Sequence, residues 1–406
     1  MSILLFACID FPNGPATTAH CNLMVKGICK NGVSSFLIIP FGTSNRVGQN
    51  HIMDKGHYYG VPYLIMSNKY DLHKSFRWIN NINGMIKSAL LLYKRWRRHK
   101  QDIVIIYSTN LFRHFLIICF CLLLKIPLYP WEVEKESSNR EFKGIKFRFS
   151  LFIAHFTEIL LPKIAEGMIV ISSYLKDYYG KYISKERIIL SPILVNPVDY
   201  QNIEHNNIDS FRKKYNGKKI ILYSGLFAEK DGISYILEAM NKFVNVFPDS
   251  ILLITGKASG KYYLLSNIDN VVDALNLKNN FQYLGFVSRE ELKIIKNAAD
   301  LLLVCRSNSI YANIGFPWKL GEYCMTAKPI IATKVGDIEK YFKDKENIFL
   351  ADPEDSISIF LQMKIVFDNY PKALEVAQKG YEKACTVFNY QIETKKIINF
   401  VNKNLN

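Results

Sequence analysis

Residues 224–232 read Ser-Gly-Leu-Phe-Ala-Glu-Lys-Asp-Gly, between an apolar run at Ile220–Tyr223 and a helical pattern that opens at Ile233. A glycine directly after a strand, Gly225, lets backbone approach a ligand closely, and the start of the following helix favours negative charge. Lys230 adds a point charge, so the loop is a diphosphate site in outline. It lacks the G-x-x-x-x-G-K-[ST] spacing of a Walker A loop, and the competing reading of Lys230 is a solvated loop lysine. A second feature is the segment 310–341, IYANIGFPWKLGEYCMTAKPIIATKVGDIEKY. Here Gly315-Phe316-Pro317 precedes a helix, with Pro317 suited to the first turn. Glu322 lies one turn further on, where a carboxylate can take both hydroxyls of a ribose, as the acidic residue of dinucleotide folds does. The competing reading is a surface pair of Lys319 with Glu322, worth about 0.2–0.5 kcal/mol. In the first half, Glu132, Glu134 and Glu136 follow the run Pro127–Trp131. Carboxylates clustered at a strand end are costly unless solvated or paired. Thr17 or Thr18 is expected to cap the helix after the loop that starts at Asp10. His20, one turn into that helix, reads as a core or helix-surface histidine before a catalytic one. No histidine follows His205, so the second half offers no imidazole acid or base.

These loops need strands to hold them. Short β-branched runs alternate with helical patterns along the chain: Ile3–Ile9, Ser35–Pro40, Tyr63–Met66, Ile103–Tyr107, Pro127–Trp131, Met168–Ser172 and Ile188–Leu190 in the first half, then Ile220–Tyr223, Ile251–Thr255, Phe281–Leu284, Leu301–Cys305, Pro329–Thr333 and Asn347–Leu350. Continuous apolar strands are buried on both faces, and strand–helix alternation means parallel pairing. The expectation is an α/β protein of two doubly wound, Rossmann-like domains facing a cleft, with ligands at the carboxyl ends of the strands. The expected boundaries are a first domain over 1–196, a polar linker over 197–218, a second domain over 219–386, and a C-terminal helix over 387–406 that packs back on the first domain.

The chain has 406 residues, enough for two or three domains with real cores. Its 52 Lys+Arg against 36 Asp+Glu give a net charge of +16, of which residues 1–200 hold +12. Anionic partners therefore belong chiefly to the first half. Nucleic acid is an improbable one, because no binding motif or aromatic–basic stripe accompanies the charge. The eight cysteines show no metal-ligand spacing and read as buried thiols in a reducing cytoplasm. The N-terminus lacks the pattern of a signal peptide. The apolar stretch Phe115–Leu124 is too short for a bilayer span of about 20 residues. The basic cluster Lys94–Lys100 before it suits either docking on anionic lipid, with Trp96 at headgroup level, or a solvated helix end.

The segments SGLFAEKDG, GFVSREEL, ADLLLVCR, GFPWKLGEYCMTAKPIIATKVGDI and FNYQIETKKI, in this order and spacing, resemble the pattern of family-4 (group 1) retaining glycosyltransferases of the GT-B fold. GMIVISSYLKDYY and IILSPILVNPVDY are similar to the segments before that family's interdomain hinge. The resemblance covers the second half and the end of the first, and it is poor over 40–100. It implies a nucleotide-diphosphate sugar as donor, no cofactor and no obligatory metal. By position, Gly225 and Lys230 would hold the diphosphate and Glu322 the ribose. Phe286 and Val287, in the turn from Leu284, would lie along the base, and Gly315, Phe316 and Pro317 beside the sugar and phosphate. Gly14 resembles the glycine of the family's first loop. Glu134, with Glu132 as the alternative, stands where the family places an acceptor-facing His or Glu; a solvated loop is the competing reading. Two positions depart from the family. Ile314 replaces a glutamate that contacts the sugar, leaving Asn313 to make that contact. Leu226-Phe227 replaces an arginine, leaving Arg306 to supply the guanidinium unless it forms a strand-end salt bridge.

The function implied is sugar transfer with retention to a hydroxyl of a saccharide, lipid-linked, in bacterial surface polysaccharide synthesis such as lipopolysaccharide or capsule. The enzyme would be cytoplasmic and peripheral on the inner membrane face. A nucleotide-sugar 2-epimerase of the same fold and an inactive GT-B partner subunit are the alternatives.

Overall fold

The protein is described from a computed structural model. It describes residues 1–12, 14, 16–41, 54–67, 77–98, 101–107, 111–135, 145–200, 203–225, 227, 229–256 and 268–405, with backbone alone at 77, 111–113, 145–150, 229 and 405. The chain forms two compact units, Met1–Leu194 with Tyr390–Asn406, and Val195–Asn389.

The first unit runs β1 (Ser2–Ala7), α1 (Ala16–Lys30), β2 (Ser34–Ile39), β3 (Lys55–Tyr58), β4 (Val61–Ile65), α2 (Arg77–Arg98), β5 (Asp102–Tyr107), α3 (Leu111–Leu124), β6 (Leu128–Glu132), α4 (Ile145–Ile164), β7 (Met168–Val170), α5 (Ser173–Tyr179) and β8 (Ile188–Leu190). Its sheet has the order β3-β4-β2-β1-β5-β6-β7-β8. All neighbours are parallel except β3 with β4. Helices cover the sheet, so β5 and β6 are buried along their whole length and read as unbroken apolar runs. Strand β3, Lys-Gly-His-Tyr, carries no such signal because it is a half-exposed edge. The loop before α1 closes differently from the expected cap. The helix starts at Ala16, so Thr17 and Thr18 both lie inside it, and the Thr18 hydroxyl donates to the Asp10 carbonyl at 2.6 Å.

The second unit runs α6 (His205–Lys213), β9 (Lys219–Ser224), α7 (Ile233–Val244), β10 (Ser250–Thr255), α8 (Ile268–Ala274), β11 (Phe281–Tyr283), α9 (Arg289–Ala298), β12 (Leu301–Val304), α10 (Ile310–Ile314), α11 (Trp318–Cys324), β13 (Ile330–Thr333), α12 (Ile338–Tyr341), β14 (Phe349–Ala351), α13 (Ser356–Asp368) and α14 (Tyr370–Val387). Its sheet, β11-β10-β9-β12-β13-β14, is parallel throughout. The order reverses between β9 and β12, which makes their carboxyl ends the topological switch point. Of residues 197–218, expected as a linker, 197–200 and 203–218 fall within this unit, and 201–202 lie outside the described residues. Arg212 of α6 binds both carboxylate oxygens of Asp300, at 2.9 and 3.3 Å, and so fixes the helix beside β12.

The chain then returns to the first unit as α15 (Tyr390–Leu405), which packs on α1. Asn31 donates to the Gln391 carbonyl at 2.9 Å and to Thr394 at 3.1 Å. Gly27 faces Thr394 with no room for a side chain.

Candidate functional site

Three loops at the carboxyl ends of β9, β10 and β11 stack backbone on backbone. Gly225 N–H donates to the Thr255 carbonyl at 2.9 Å, and Gly256 N–H to the Gly285 carbonyl at 3.0 Å. Gly225 has φ +151°, a conformation closed to most L-residues, and a side chain at Gly256 would collide with the Gly225 carbonyl. On the other side of β9, Ser307 N–H donates to the Lys230 carbonyl at 3.0 Å, joining the loops that follow β9 and β12.

Cations line this junction. Lys230 lies over the Tyr311 ring, Nζ 4.0 Å from its centroid. Arg306 is buried, with Nη1 3.4 Å from the Gly315 carbonyl, while its own carbonyl accepts from Thr333 at 2.8 Å. The third cation is Lys319. Its Nζ lies 4.1 Å from the Tyr223 ring centroid, 3.0 Å from the Tyr223 hydroxyl and 3.4 Å from Asp231, and it fills the space beside Gly225. Burial pushes the Lys319 ammonium below its usual pKa; Asp231 opposes the shift, and Arg306 and Lys230 add to it.

Lys319 and Glu322 do not pair, although their spacing allows it. Glu322 instead binds Lys296 of α9, whose side chain is only 2% exposed against 34% for Glu322. Burial alone would raise the Glu322 carboxyl, but Lys296 first, then Arg289 and Lys293, hold it below the usual carboxylate range. Glu322 is thus a fixed anion with an exposed edge, able to accept from hydroxyls. Lys296 escaped the sequence reading, and Lys319 entered it only as a surface partner of Glu322. The signals were a lysine at a core-facing position of α9, between buried Ile295 and Ala298, and a lysine two residues after Pro317.

The remaining positions divide. Phe286 is 81% exposed and Val287 half-buried, so the turn after β11 presents an aromatic face to solvent. Pro317 is the N-cap of α11 rather than its first-turn residue, and Gly315 lends its carbonyl to Arg306. The Phe316 ring packs against Tyr341 and Phe388, centroids 5.5 Å away in each case, which leaves its backbone alone for a donor. Ile314 is fully buried, and Phe227 packs on Tyr283. Ile314 and Phe227 are therefore core residues, and Leu226 lies outside the described residues. Asn313 donates to Asn308 at 2.9 Å and to the Ser309 carbonyl at 3.0 Å, and accepts from Gly336 at 2.8 Å. These bonds use both amide hydrogens and leave one acceptor lone pair on Oδ1.

In the first unit, Gly14 stands where a side chain would strike Thr18 and the Asp10 carbonyl. His20 is buried, its ring centroid 4.4 Å from that of Trp131. Burial holds the imidazole well below its usual pKa against the effect of the Pro192 carbonyl, so it stays neutral. Glu132 is buried at the end of β6, and Glu134 is exposed two residues on. Tyr107 is buried beside them; burial, then Cys21, Glu134 and Glu132, push its hydroxyl well above its usual value. Glu136 lies outside the described residues.

Residues 205–383 match the family described as glycosyl transferases, group 1. No curated protein matches the chain. Among solved structures, sucrose-phosphate synthase from Thermosynechococcus elongatus superposes with a TM-score of 0.74 at 14% identity, over 100% of this chain and 99% of that one. Anabaena HepE in complex with UDP gives 0.73 at 15% identity, over 99% and 100%. A glycosyltransferase from Rickettsia africae gives 0.71 at 15% identity, over 100% and 98%. At these identities the likeness is one of fold, and the fold is GT-B, with two parallel-sheet Rossmann-like units.

Proposed function

We propose that the chain, whose residues 205–383 match the glycosyl transferases, group 1, is a transferase that moves a sugar from a nucleotide-diphosphate donor to a hydroxyl of a lipid-linked saccharide. We read the step as retaining and the product as a bacterial surface polysaccharide, made at the inner face of the membrane. One observation carries the donor half: Lys230, Arg306 and Lys319 gather by Gly225 at the switch point of a parallel sheet, where an anionic ligand belongs. HepE was solved with UDP, with UDP-glucose, and with UDP and glucose, so a uridine diphosphate sugar is the first donor to test.

In this reading Glu322 accepts from the ribose hydroxyls and Phe286 stacks on the base. The bond between the anomeric carbon and the phosphate oxygen breaks, and negative charge grows on the leaving diphosphate. The three cations stabilise that charge without a metal. The acceptor hydroxyl attacks from the face the diphosphate leaves and gives its proton to a phosphate oxygen. Glu134, or Glu132 behind it, orients the acceptor in the first unit.

The test is a thermal-shift screen of nucleotide sugars followed by a transfer assay. Lys230→Ala and Glu322→Ala should each lower kcat/KM on the order of 10²-fold. If both stay within about twofold of the parent, the site assignment is wrong. Incubating the donor without acceptor separates the rivals: an epimerised sugar means a 2-epimerase, and tight nucleotide binding without turnover on any acceptor means an inactive partner subunit.

A further inference from the structure

Helices α2, α3 and α4 cover one face of the first sheet. Leu92 of α2, Ile117 and Cys121 of α3 and Leu161 of α4 share a core with Phe6, Val104 and Leu128 of the strands. The outer side of such a layer is ordinarily polar. Here it is not. On α2, Trp78, Ile82, Ile86, Leu90 and Tyr93 are exposed, by 39% to 61%, and their spacing of three and four residues sets them on one stripe. Phe115, Leu122 and Leu123 of α3 are exposed too, as are Phe152, Phe156 and Leu160 at i, i+4 and i+8 of α4. Helix α3 packs against both neighbours, so the stripes lie side by side on one surface. Monomeric proteins rarely expose apolar surface on this scale without a partner.

The charges around the patch identify the partner. The three helices hold ten Lys and Arg and one carboxylate, Glu158. Glu158 is buried and lies 3.1 Å from the Tyr178 hydroxyl. Lys87, Lys94, Arg97 and Arg98 are exposed along α2. The earlier candidates within the basic cluster play another part. Arg95 turns inward to bind Asp102 through two bonds of 2.7 and 2.9 Å, and Trp96 packs on the core. Residues 99 and 100 lie outside the described residues. A second copy docking the same face would set these cations against their like. No helix of the described residues is long and apolar enough to cross a membrane. An apolar layer rimmed by cations fits the headgroup region of an anionic bilayer.

We propose that the outer face of α2, α3 and α4 lies flat on an anionic lipid surface, its apolar side chains in the headgroup boundary and its lysines and arginines on the lipid phosphates. The inference assumes nothing about sugar transfer, and its test uses no sugar. Full-length protein is floated with vesicles of equimolar phosphatidylcholine and phosphatidylglycerol, and with phosphatidylcholine alone. Binding to the anionic vesicles is expected to exceed binding to the neutral ones by about tenfold or more. The variant Ile82→Ser/Ile86→Ser/Leu90→Ser should lose most binding even at low salt. Lys87→Gln/Lys94→Gln/Arg97→Gln/Arg98→Gln should lose the preference for anionic lipid. The replaced side chains are exposed, so both variants should melt as the parent does. The tryptophan emission of the parent, and not of a Trp78→Phe variant, should shift to the blue on vesicles. Equal flotation of the parent and the serine variant overturns the proposal. So does a parent that ignores anionic vesicles, or a parent dimer in solution that the serine substitutions disperse.

Discussion

A lysine buried beside two other cations, with a single carboxylate to offset them, holds its charge less firmly than one in water. Lys319 is in that position, and its folded pKa lies below the usual lysine value. A bound diphosphate would raise it again. Between the two values the free protein holds the neutral amine and the complex the ammonium, so nucleotide binding should take up a proton. Calorimetry of UDP binding in two alkaline buffers of different ionisation enthalpy reads this uptake, and Lys319→Met should abolish it. The same variant should lower kcat/KM for transfer on the order of 10²-fold. Glu322 has the opposite sign. Its folded pKa lies below the unfolded one, so its contribution to stability is complete above the ordinary carboxylate value and lost as pH falls through the lowered one. Lys296→Met should destabilise the protein by about 1–3 kcal/mol at neutral pH, less than for a fully buried pair because water reaches Glu322. Urea melts at neutral and acidic pH should show the difference shrinking on the acid side.

At the scale of elements, the packing of α15 on α1 depends on one missing side chain. Gly27→Ala would ordinarily help a helix by about 1 kcal/mol. Here the new methyl meets Thr394 and the Tyr390 carbonyl, and a carbonyl cannot turn aside. Overpacking costs about 1–3 kcal/mol, so the variant should be less stable, by about 1 kcal/mol in urea. The elements explain what a reader of the chain can and cannot see. Strands such as Ile103–Tyr107 and Leu301–Val304 were legible because a sheet buried on both faces needs unbroken β-branched runs. The glycine loops after them were legible because close backbone approach leaves a residue-type mark. Lys296 and Lys319 were not, because a lysine in a helix looks the same whether its end meets water or a buried carboxylate. The outer stripes of α3 and α4 were hidden for a related reason. A helix apolar on both sides shows no polar face, and reads simply as core.

At the scale of the whole molecule, the +12 carried by residues 1–200 finds its place. The donor site proposed above lies in the less basic unit, while the excess charge belongs to the unit whose helices present apolar and cationic surface together. The return of α15 sets a dependence between the units. A chain ended at Asn389 should keep nucleotide binding by the second unit and lose the cooperative melting of the first, a split that calorimetry can resolve. The same helix orders events on the ribosome. The first unit is the first to be made, yet its last helix emerges only after the whole second unit has been translated. At about 5–20 residues per second that is a wait of roughly 10–40 s, during which the groove beside Gly27 stands open.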